Sequence, residues 1–169
     1  MINLDFLNSL TETEARAAFL RCCGSTRWAE WMAARRPFGS EAQLLTAAGQ
    51  VWQGLAPEDW REAFAAHPRI GDLESLRARF APTAAWSAGE QAGVAGAPEA
   101  TLLALAEGNR AFEARFGHLF IVCASGKTAD EMLALLRQRL GNDPDTERKV
   151  ATTELRKITV LRLGKVLGS

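Results

Sequence analysis

The chain has 169 residues, of which 47% are hydrophobic and 24% are charged, a balance typical of a soluble globular protein. Its 20 basic and 20 acidic residues leave a formal net charge of zero, which argues against a broad basic surface for nucleic acid. No apolar run approaches the roughly 20 residues that cross a bilayer, and the N-terminus lacks the features of a secretory signal. We therefore expect a cytoplasmic protein without nucleic-acid or membrane partners, whose cysteines (Cys22, Cys23 and Cys123) are reduced thiols.

The first half of the chain carries several signals for helix starts. Thr11 and Glu14 have the capping-box spacing, in which a hydroxyl and a carboxylate satisfy two otherwise unpaired backbone amides. Ser40 can cap the apolar stretch that follows it, and Pro57 precedes acidic residues, as expected in the first turn of a helix. The segment 35–39 is typical of a loop.

The second half continues in the same way, with Asp72 as a cap and Thr128 in a further capping-box pattern. Pro98 and Pro144 precede acidic residues, as expected in the first turn of a helix. Only residues 119–124 look like a strand, and a single strand cannot form a sheet, so we expect an extended or irregular segment there. The sequence predicts one all-α domain over residues 1–169, built from short packed helices without significant sheet. Helices are expected to begin near Thr11, Ser40, Asp72, Ser87, Pro98 and Thr128.

The most unusual local sequence is the run His-Pro-Arg-Ile-Gly-Asp from His67 to Asp72. Pro68 restricts the backbone of His67 and tends to end the preceding helix, while Gly71 permits a tight turn before the next one. An imidazole at such a corner has an unperturbed pKa near ~6.5, which suits proton transfer at neutral pH. A histidine before proline is also common as a structural hydrogen-bonding residue, and the local sequence leaves both interpretations open.

A second candidate is the run Ser87-Ala88-Gly89-Glu90-Gln91. Ser87 and Glu90 have the capping-box spacing, so both residues can simply begin a helix. On the functional interpretation, Glu90 and Gln91 face a polar ligand from the first helical turn, where backbone amides add contacts to an anionic group. Spacing alone favours the capping interpretation.

A third candidate is the run 115–125, in which Gly117 ends the long helix. The apolar backbone from Phe120 to Ala124 could line a pocket with its amides and carbonyls, or it could be a connector that fills the core. His118 is expected in a surface turn and is a weaker candidate than His67. The sequence has no Gly-rich phosphate loop and no Cys-x-x-Cys pair, and its two histidines are too far apart for a local metal-binding helix.

These segments, in this order, resemble the 2-oxo-4-hydroxy-4-carboxy-5-ureidoimidazoline (OHCU) decarboxylase family. The resemblance is carried by His67 to Asp72, by Ser87 to Gln91, and by Phe-Ile-Val-Cys-Ala at 120–124. The chain departs from the family pattern after residue 124 and at Ala111, without losing a proposed catalytic group. Further motif residues, which extend the resemblance over nearly the whole chain, are Cys22, Cys23, Asn109, Phe112, Arg115, Arg139, Asn142, Glu154 and Arg162.

The resemblance implies an all-helical carboxy-lyase of urate degradation that converts OHCU to (S)-allantoin without a metal or an organic cofactor. It implies that His67 donates a proton and that Glu90 assists it. It also implies a small-molecule substrate, is compatible with a homodimer, and links the chain functionally to urate oxidase and hydroxyisourate hydrolase. Residues expected around the substrate are Pro68, Ser87, Ala88, Gly89, Gln91, Phe120, Ile121, Val122, Cys123, Ala124 and Arg162.

Two other functions remain open from the sequence. The chain could be a non-enzymatic interaction module that anchors a partner helix through its tryptophans, although tryptophans on short helices more often fill a core. Alternatively, it could be another lyase of purine breakdown, such as one that processes ureidoglycolate. Stabilisation by allantoin would separate an enzyme from an interaction module, and product identification would separate the two lyases. The tryptophans are Trp28, Trp31, Trp52, Trp60 and Trp86.

Overall fold

A computed structural model describes residues 3–69, 71–81 and 96–167 of the chain. The predicted helix start at Ser87 therefore lies outside the described residues. Those residues belong to two compact units. The first comprises the described residues within Met1–His67, Ile121–Cys123 and Lys149–Ser169, and the second those within Pro68–Phe120 and Ala124–Arg148.

The regular secondary structure of the described residues is helical, and residues 119–124 are irregular, as predicted. The all-α fold class is confirmed, and so are the predicted helix starts near Thr11, Ser40, Asp72, Pro98 and Thr128. The helices are α1 (Leu4–Ser9), α2 (Glu12–Cys23), α3 (Thr26–Ala34), α4 (Glu41–Gln53), α5 (Pro57–Ala65), α6 (Leu73–Arg79), α7 (Glu99–Phe116), α8 (Ala129–Leu140) and α9 (Pro144–Leu167).

Side-chain caps explain where several of these helices begin. Thr11 and Thr128 each form a complete capping box with the glutamate three residues further on. The Asp72 carboxylate accepts hydrogen bonds from the Ser75 backbone amide at 2.9 Å and from its hydroxyl at 2.6 Å. Pro98 precedes α7 instead of lying in its first turn, because its ψ of 136° is extended.

Two helices, α1 and α3, were not predicted from the sequence. Each is capped by a polar side chain, since Asn3 accepts a hydrogen bond from the amide of Phe6 and Ser25 accepts one from the amide of Trp28. Helix α1 has only six residues, and α3 has no acidic residue in its first turn. Both therefore lack the extended pattern by which longer helices are found in a sequence.

The core of the first unit forms where α2 packs against α3, which also contacts α4 and α5. Phe19 lies edge-on to Trp28 and to Phe38, with ring centroids 5.9 and 6.3 Å apart, an arrangement that adds to the energy of burial. Leu155 and Leu163 of α9 are fully buried in the same unit. The last helix is therefore fixed by its own apolar side chains.

In the second unit, α7 packs against α6 and α8. Gly108 permits the close approach of α8, because a Cβ at this position would lie only 2.5 Å from Cδ2 of Leu136. Leu102, Leu105 and Phe112 are buried along the same side of α7, with the period expected of an amphipathic helix.

A buried ion pair closes the second unit at the turn between α8 and α9. Arg139 donates through Nε and Nη2 to the carboxylate of Glu147, and both side chains are almost completely buried. Asn142 Nδ2 donates to the same carboxylate at 3.0 Å, and the Arg139 guanidinium lies 4.7 Å from the centroid of the Phe120 ring. Two buried charges are tolerated here because each is satisfied by several partners.

Glu147→Gln should lower the free energy of unfolding by about 3–5 kcal/mol, because it leaves the Arg139 charge buried without its counter-ion. The matched control is Asp145→Asn, which makes the same change from carboxylate to amide in an exposed ion pair with Arg148 on the same helix. That variant should lose less than about 1 kcal/mol. Denaturant titration followed by far-UV circular dichroism measures both losses, and equal losses would contradict this account of the buried pair.

Candidate functional site

His67 lies at a corner just beyond the end of α5. Its backbone amide donates to the carbonyl of Phe64 at 3.2 Å, and Pro68 prevents the helix from continuing. The side chain is half-buried, but its Nδ1 atom is fully buried and has no hydrogen-bond partner among the described residues. Most buried polar atoms in proteins are satisfied, so an unpaired imidazole nitrogen is an unusual feature.

Burial and, as the smaller cause, the positive charge of Arg162 together lower the pKa of His67 from its ordinary value of 6.5 to about 4. Within its described surroundings the imidazole is therefore neutral at neutral pH. The protonated His67 expected from the sequence thus requires a negative charge that these surroundings do not supply. Glu90, the carboxylate predicted to assist His67, lies outside the described residues.

Arg162 is held on α9 by a contact with the end of another helix. Its Nη1 atom donates to the carbonyl of Cys22 at 3.2 Å, in the last turn of α2. Carbonyls in the last turn of a helix lack partners within the helix and carry the negative end of its dipole, so a guanidinium is well placed there. The structure thus brings His67, Arg162 and the end of α2 into one unit.

The thiols at the end of α2 are buried and hard to ionise. Burial is the main cause that raises the pKa of Cys22 to about 11 and that of Cys23 to about 12. Both side chains therefore act as small apolar groups in the core.

The predicted connector, residues 120–124, is anchored at several points. Ile121 is fully buried, and the Cys123 amide donates to Oε2 of Glu154 at 2.8 Å within the first unit. In the second unit, the carbonyl of Ala124 accepts a hydrogen bond from Nη2 of Arg79 at 3.3 Å. Its backbone groups are therefore in defined orientations, as a binding segment requires.

The predicted site residues that the structure describes are divided between the two units. Ile121, Val122 and Cys123 belong to the same unit as His67 and Arg162, whereas Pro68, Phe120 and Ala124 belong to the second unit. His118 is half-buried, and its ring stacks against Phe116 with centroids 6.2 Å apart. The predicted residues outside the described part of the chain are Ser87, Ala88, Gly89, Glu90 and Gln91.

Two polar residues that contact the connector were given no role from the sequence, namely Glu154 and Arg79. Glu154 was noted only as part of the family resemblance. Its contact with Cys123 spans 31 residues, and that between Arg79 and Ala124 spans 45. Local spacing carries no signal for contacts at these separations.

No group of three or more His, Cys, Asp or Glu side chains within residues 3–69, 71–81 and 96–167 is placed to hold a metal ion. None of the helices defined above has both the length and the apolar character that a membrane span requires. Independence from metals stays a prediction.

The family model for OHCU decarboxylase matches residues 8–164 of the chain. The chain belongs to the OHCU decarboxylase family. The resemblance found in the motifs is therefore confirmed, together with the enzyme class that it implies, a decarboxylase.

Similar proteins support this assignment. The chain is 38% identical over 150 residues to the uric acid degradation bifunctional protein TTL of Arabidopsis thaliana, covering 87% of the chain and 45% of that relative. It is 30% identical over 134 residues to the 2-oxo-4-hydroxy-4-carboxy-5-ureidoimidazoline decarboxylase of Amia calva, covering 78% of the chain and 75% of that relative. The chain thus spans less than half the length of the Arabidopsis protein.

A solved structure resembles the chain over most of its length. It is a crystal structure of OHCU decarboxylase in the presence of (S)-allantoin, with a TM-score of 0.71 and 35% sequence identity. The match covers 89% of this chain and 97% of the solved one.

In the ligand-free protein, NMR titration of the His67 ring should give a pKa near 4. Below pH 6.5 the unfolded chain binds a proton at this histidine, whereas the folded chain does so only near pH 4. The contribution of His67 to stability should therefore be lost as the pH falls from 6.5 to about 4. His67→Gln removes this contribution, so the difference between the two denaturation curves isolates it from the titration of carboxylates.

Arg162→Met should raise the pKa of His67 without restoring it to 6.5, because burial is the larger of the two causes. A pKa of 6.5 in the parent protein would contradict the buried position of the ring.

Proposed function

We propose that the chain catalyses the decarboxylation of OHCU to (S)-allantoin in urate degradation, with residues 1–169 acting as one functional domain. Membership of the family over residues 8–164 supports this, as does the Arabidopsis relative, which is named for uric acid degradation. A similar solved structure was obtained in the presence of (S)-allantoin, which also supports it.

The structural observation that carries the proposal is the buried Nδ1 atom of His67, which has no hydrogen-bond partner in the described part of the chain and is affected by the charge of Arg162. A histidine that served only as a structural hydrogen-bonding residue would use this atom, because leaving it unsatisfied costs about 1–3 kcal/mol. The unpaired nitrogen therefore favours the catalytic interpretation over the structural one. Strained or unsatisfied groups of this kind are typical of functional sites.

The chemistry of the substrate explains why so few groups suffice. OHCU carries a carboxylate and a hydroxyl on one ring carbon, beside a C=N bond. When the bond to the carboxylate breaks, CO₂ leaves and the electron pair moves into the C=N bond, so the substrate is its own electron sink. The protein must then hold the departing carboxylate and deliver one proton to one face of the ring.

His67 is the proton donor in this reaction. Burial and Arg162 keep it neutral in the free protein, but the negative charge of the substrate raises the pKa of a nearby imidazole. Binding of the anionic substrate therefore favours uptake of the proton that His67 later donates. Glu90 adds a second negative charge that favours the same protonated form or orients the ring.

The remaining predicted residues complete the site. Arg162 offers guanidinium donors for an oxygen anion of the substrate, and the connector 120–124 offers backbone groups for the ureido edge. No metal or organic cofactor takes part. The other binding residues of this proposal are Pro68, Ser87, Ala88, Gly89 and Gln91.

The partners follow from the reaction. The substrate is a small anion that urate oxidase and hydroxyisourate hydrolase together generate, so the chain is linked to those two enzymes in function. A homodimer and a cytoplasmic location stay predictions.

The interaction-module alternative is weakened by the tryptophans themselves. Trp28 is fully buried and Trp52 is 7% exposed, so both serve the core of the first unit. Trp31 is 41% exposed and carries the Arg27 guanidinium 5.8 Å from its ring centroid. One exposed tryptophan within the described residues is ordinary for a protein surface.

Circular dichroism of the product, with urate oxidase and hydroxyisourate hydrolase supplying the substrate, should show (S)-allantoin in enantiomeric excess. OHCU decays to a racemic product without an enzyme, so an enantiomeric excess shows that the reaction was enzyme-catalysed. A chelator added after the substrate has formed should leave the excess unchanged. A racemic product at high protein concentration would refute the proposed function, and a product other than allantoin would favour a different lyase.

His67→Asn should lower the catalysed rate by at least ~10²-fold with little change in melting temperature, because it removes the titratable donor while keeping a similar size. Glu90→Gln can keep a capping-box hydrogen bond, so its rate should fall sharply only if the charge of Glu90 acts on His67. Ser87→Ala is the control for capping and should cost roughly ~1 kcal/mol of stability. Parental activity in both His67→Asn and Glu90→Gln would refute this mechanism.

A further inference from the structure

The segment Ile121–Cys123 is held from two sides in the first unit. The Ile121 side chain is fully buried, and the Cys123 amide donates to Oε2 of Glu154 at 2.8 Å. The segment is irregular, so its backbone amides find no partner in a regular ladder. For the Cys123 amide, the hydrogen-bond acceptor is instead a carboxylate from α9.

Glu154 is itself fixed on α9. Its side chain is only 12% exposed, and its Oε1 atom accepts a hydrogen bond from Nζ of Lys157 at 2.5 Å. One carboxylate oxygen is thus bound to a backbone amide and the other to an ammonium group one turn along the helix. With both oxygens bound, the carboxylate has little freedom to move away from Cys123.

The same helix carries Arg162, eight residues after Glu154 and about 12 Å further along the axis. Arg162 acts on the charge state of His67 and is tied to the carbonyl of Cys22. A rigid helix therefore carries both the group that holds the connector and the cation that acts on His67.

The hydrogen bond to Glu154 also orients a carbonyl. In a trans peptide group the N–H of one residue and the C=O of the residue before it point in opposite directions. Because the Cys123 N–H points to Glu154, the Val122 carbonyl points away from that carboxylate. The carbonyl of the half-buried Val122 is therefore a hydrogen-bond acceptor with a fixed direction.

We propose that Glu154 is a positioning residue that aims the Val122 carbonyl at a donor N–H group of the substrate's ureido arm. This role rests on the proposed function, since it requires the connector to bind the OHCU substrate. Glu154 does not touch the substrate and takes no part in proton transfer. Its effect is on substrate affinity and on which face of the ring is presented to His67.

Three variants separate this role from a purely structural one. Glu154→Leu removes the acceptor at similar size, and it should raise KM at least tenfold while kcat changes less. Glu154→Gln keeps an oxygen for the Cys123 amide and should stay within about threefold of the parental KM. Lys157→Met breaks the ion pair but leaves the hydrogen bond, so its KM should also stay within about threefold.

Two further readouts accompany the kinetics. Hydrogen exchange at the Cys123 amide should be fast in Glu154→Leu and slow in the parent and in Glu154→Gln. With enzyme concentrations adjusted to equal catalysed rates, the enantiomeric excess of allantoin should fall only in Glu154→Leu. Should that variant not fold, Glu154→Asp provides the same test, because it withdraws the oxygen by one methylene.

The results distinguish a failure of the positioning role from a failure of the proposed function. A folded Glu154→Leu with parental KM and parental enantiomeric excess overturns the positioning role while the parent still makes (S)-allantoin. A KM raised equally in Glu154→Gln and Glu154→Leu also overturns it, since the charge and not the hydrogen bond would then be responsible. A parent that yields only racemic product contradicts the proposed function itself.

Discussion

The ion pair of Arg139 with Glu147 sets the geometry on which the second unit depends. Each charge loses several kcal/mol of hydration when it is buried, so the pair is stable only in an arrangement that satisfies both groups closely. Asn142 supplies a further donor to Glu147, and the face of Phe120 lies under the guanidinium of Arg139. The turn between α8 and α9 and the first residue of the connector are thereby fixed by one cluster.

The surroundings of His67, by contrast, disfavour the charged form of the group that they bury. Burial and the charge of Arg162 both disfavour the charged imidazole, so this corner does not improve stability below pH 6.5. The caps at Thr11 and Thr128 and the aromatic cluster around Phe19 stabilise the chain elsewhere. Proteins commonly accept such local costs where a reactive group must be poised for its task.

The parts of the fold that the sequence predicted well are those governed by neighbours in the chain. The capping boxes at Thr11 and Thr128 depend on residues three apart, and both form as expected. The short helix α1 was missed because six residues carry too little pattern to be recognised. The candidate residues His67 and Arg162 came from local sequence and from family resemblance.

The contacts that hold the candidate site residues in position join parts of the chain that are far apart in sequence. The bond from Cys123 to Glu154 spans 31 residues, and that from Arg162 to Cys22 spans 140, so no spacing rule could have proposed them. The finding that Nδ1 of His67 has no partner among the residues that the structure describes likewise depends on burial, which a sequence does not display.

The hydrogen bond between Arg162 and the end of α2 has an entropic consequence for recognition. A free arginine side chain loses up to about 2 kcal/mol of rotamer freedom when it is immobilised on a ligand. Arg162 has already lost part of that freedom on folding, because its Nη1 is tied to the Cys22 carbonyl. If Arg162 binds the substrate as proposed, more of the attraction between its guanidinium and the anion is then retained as binding affinity, because the side chain is ordered before the ligand binds.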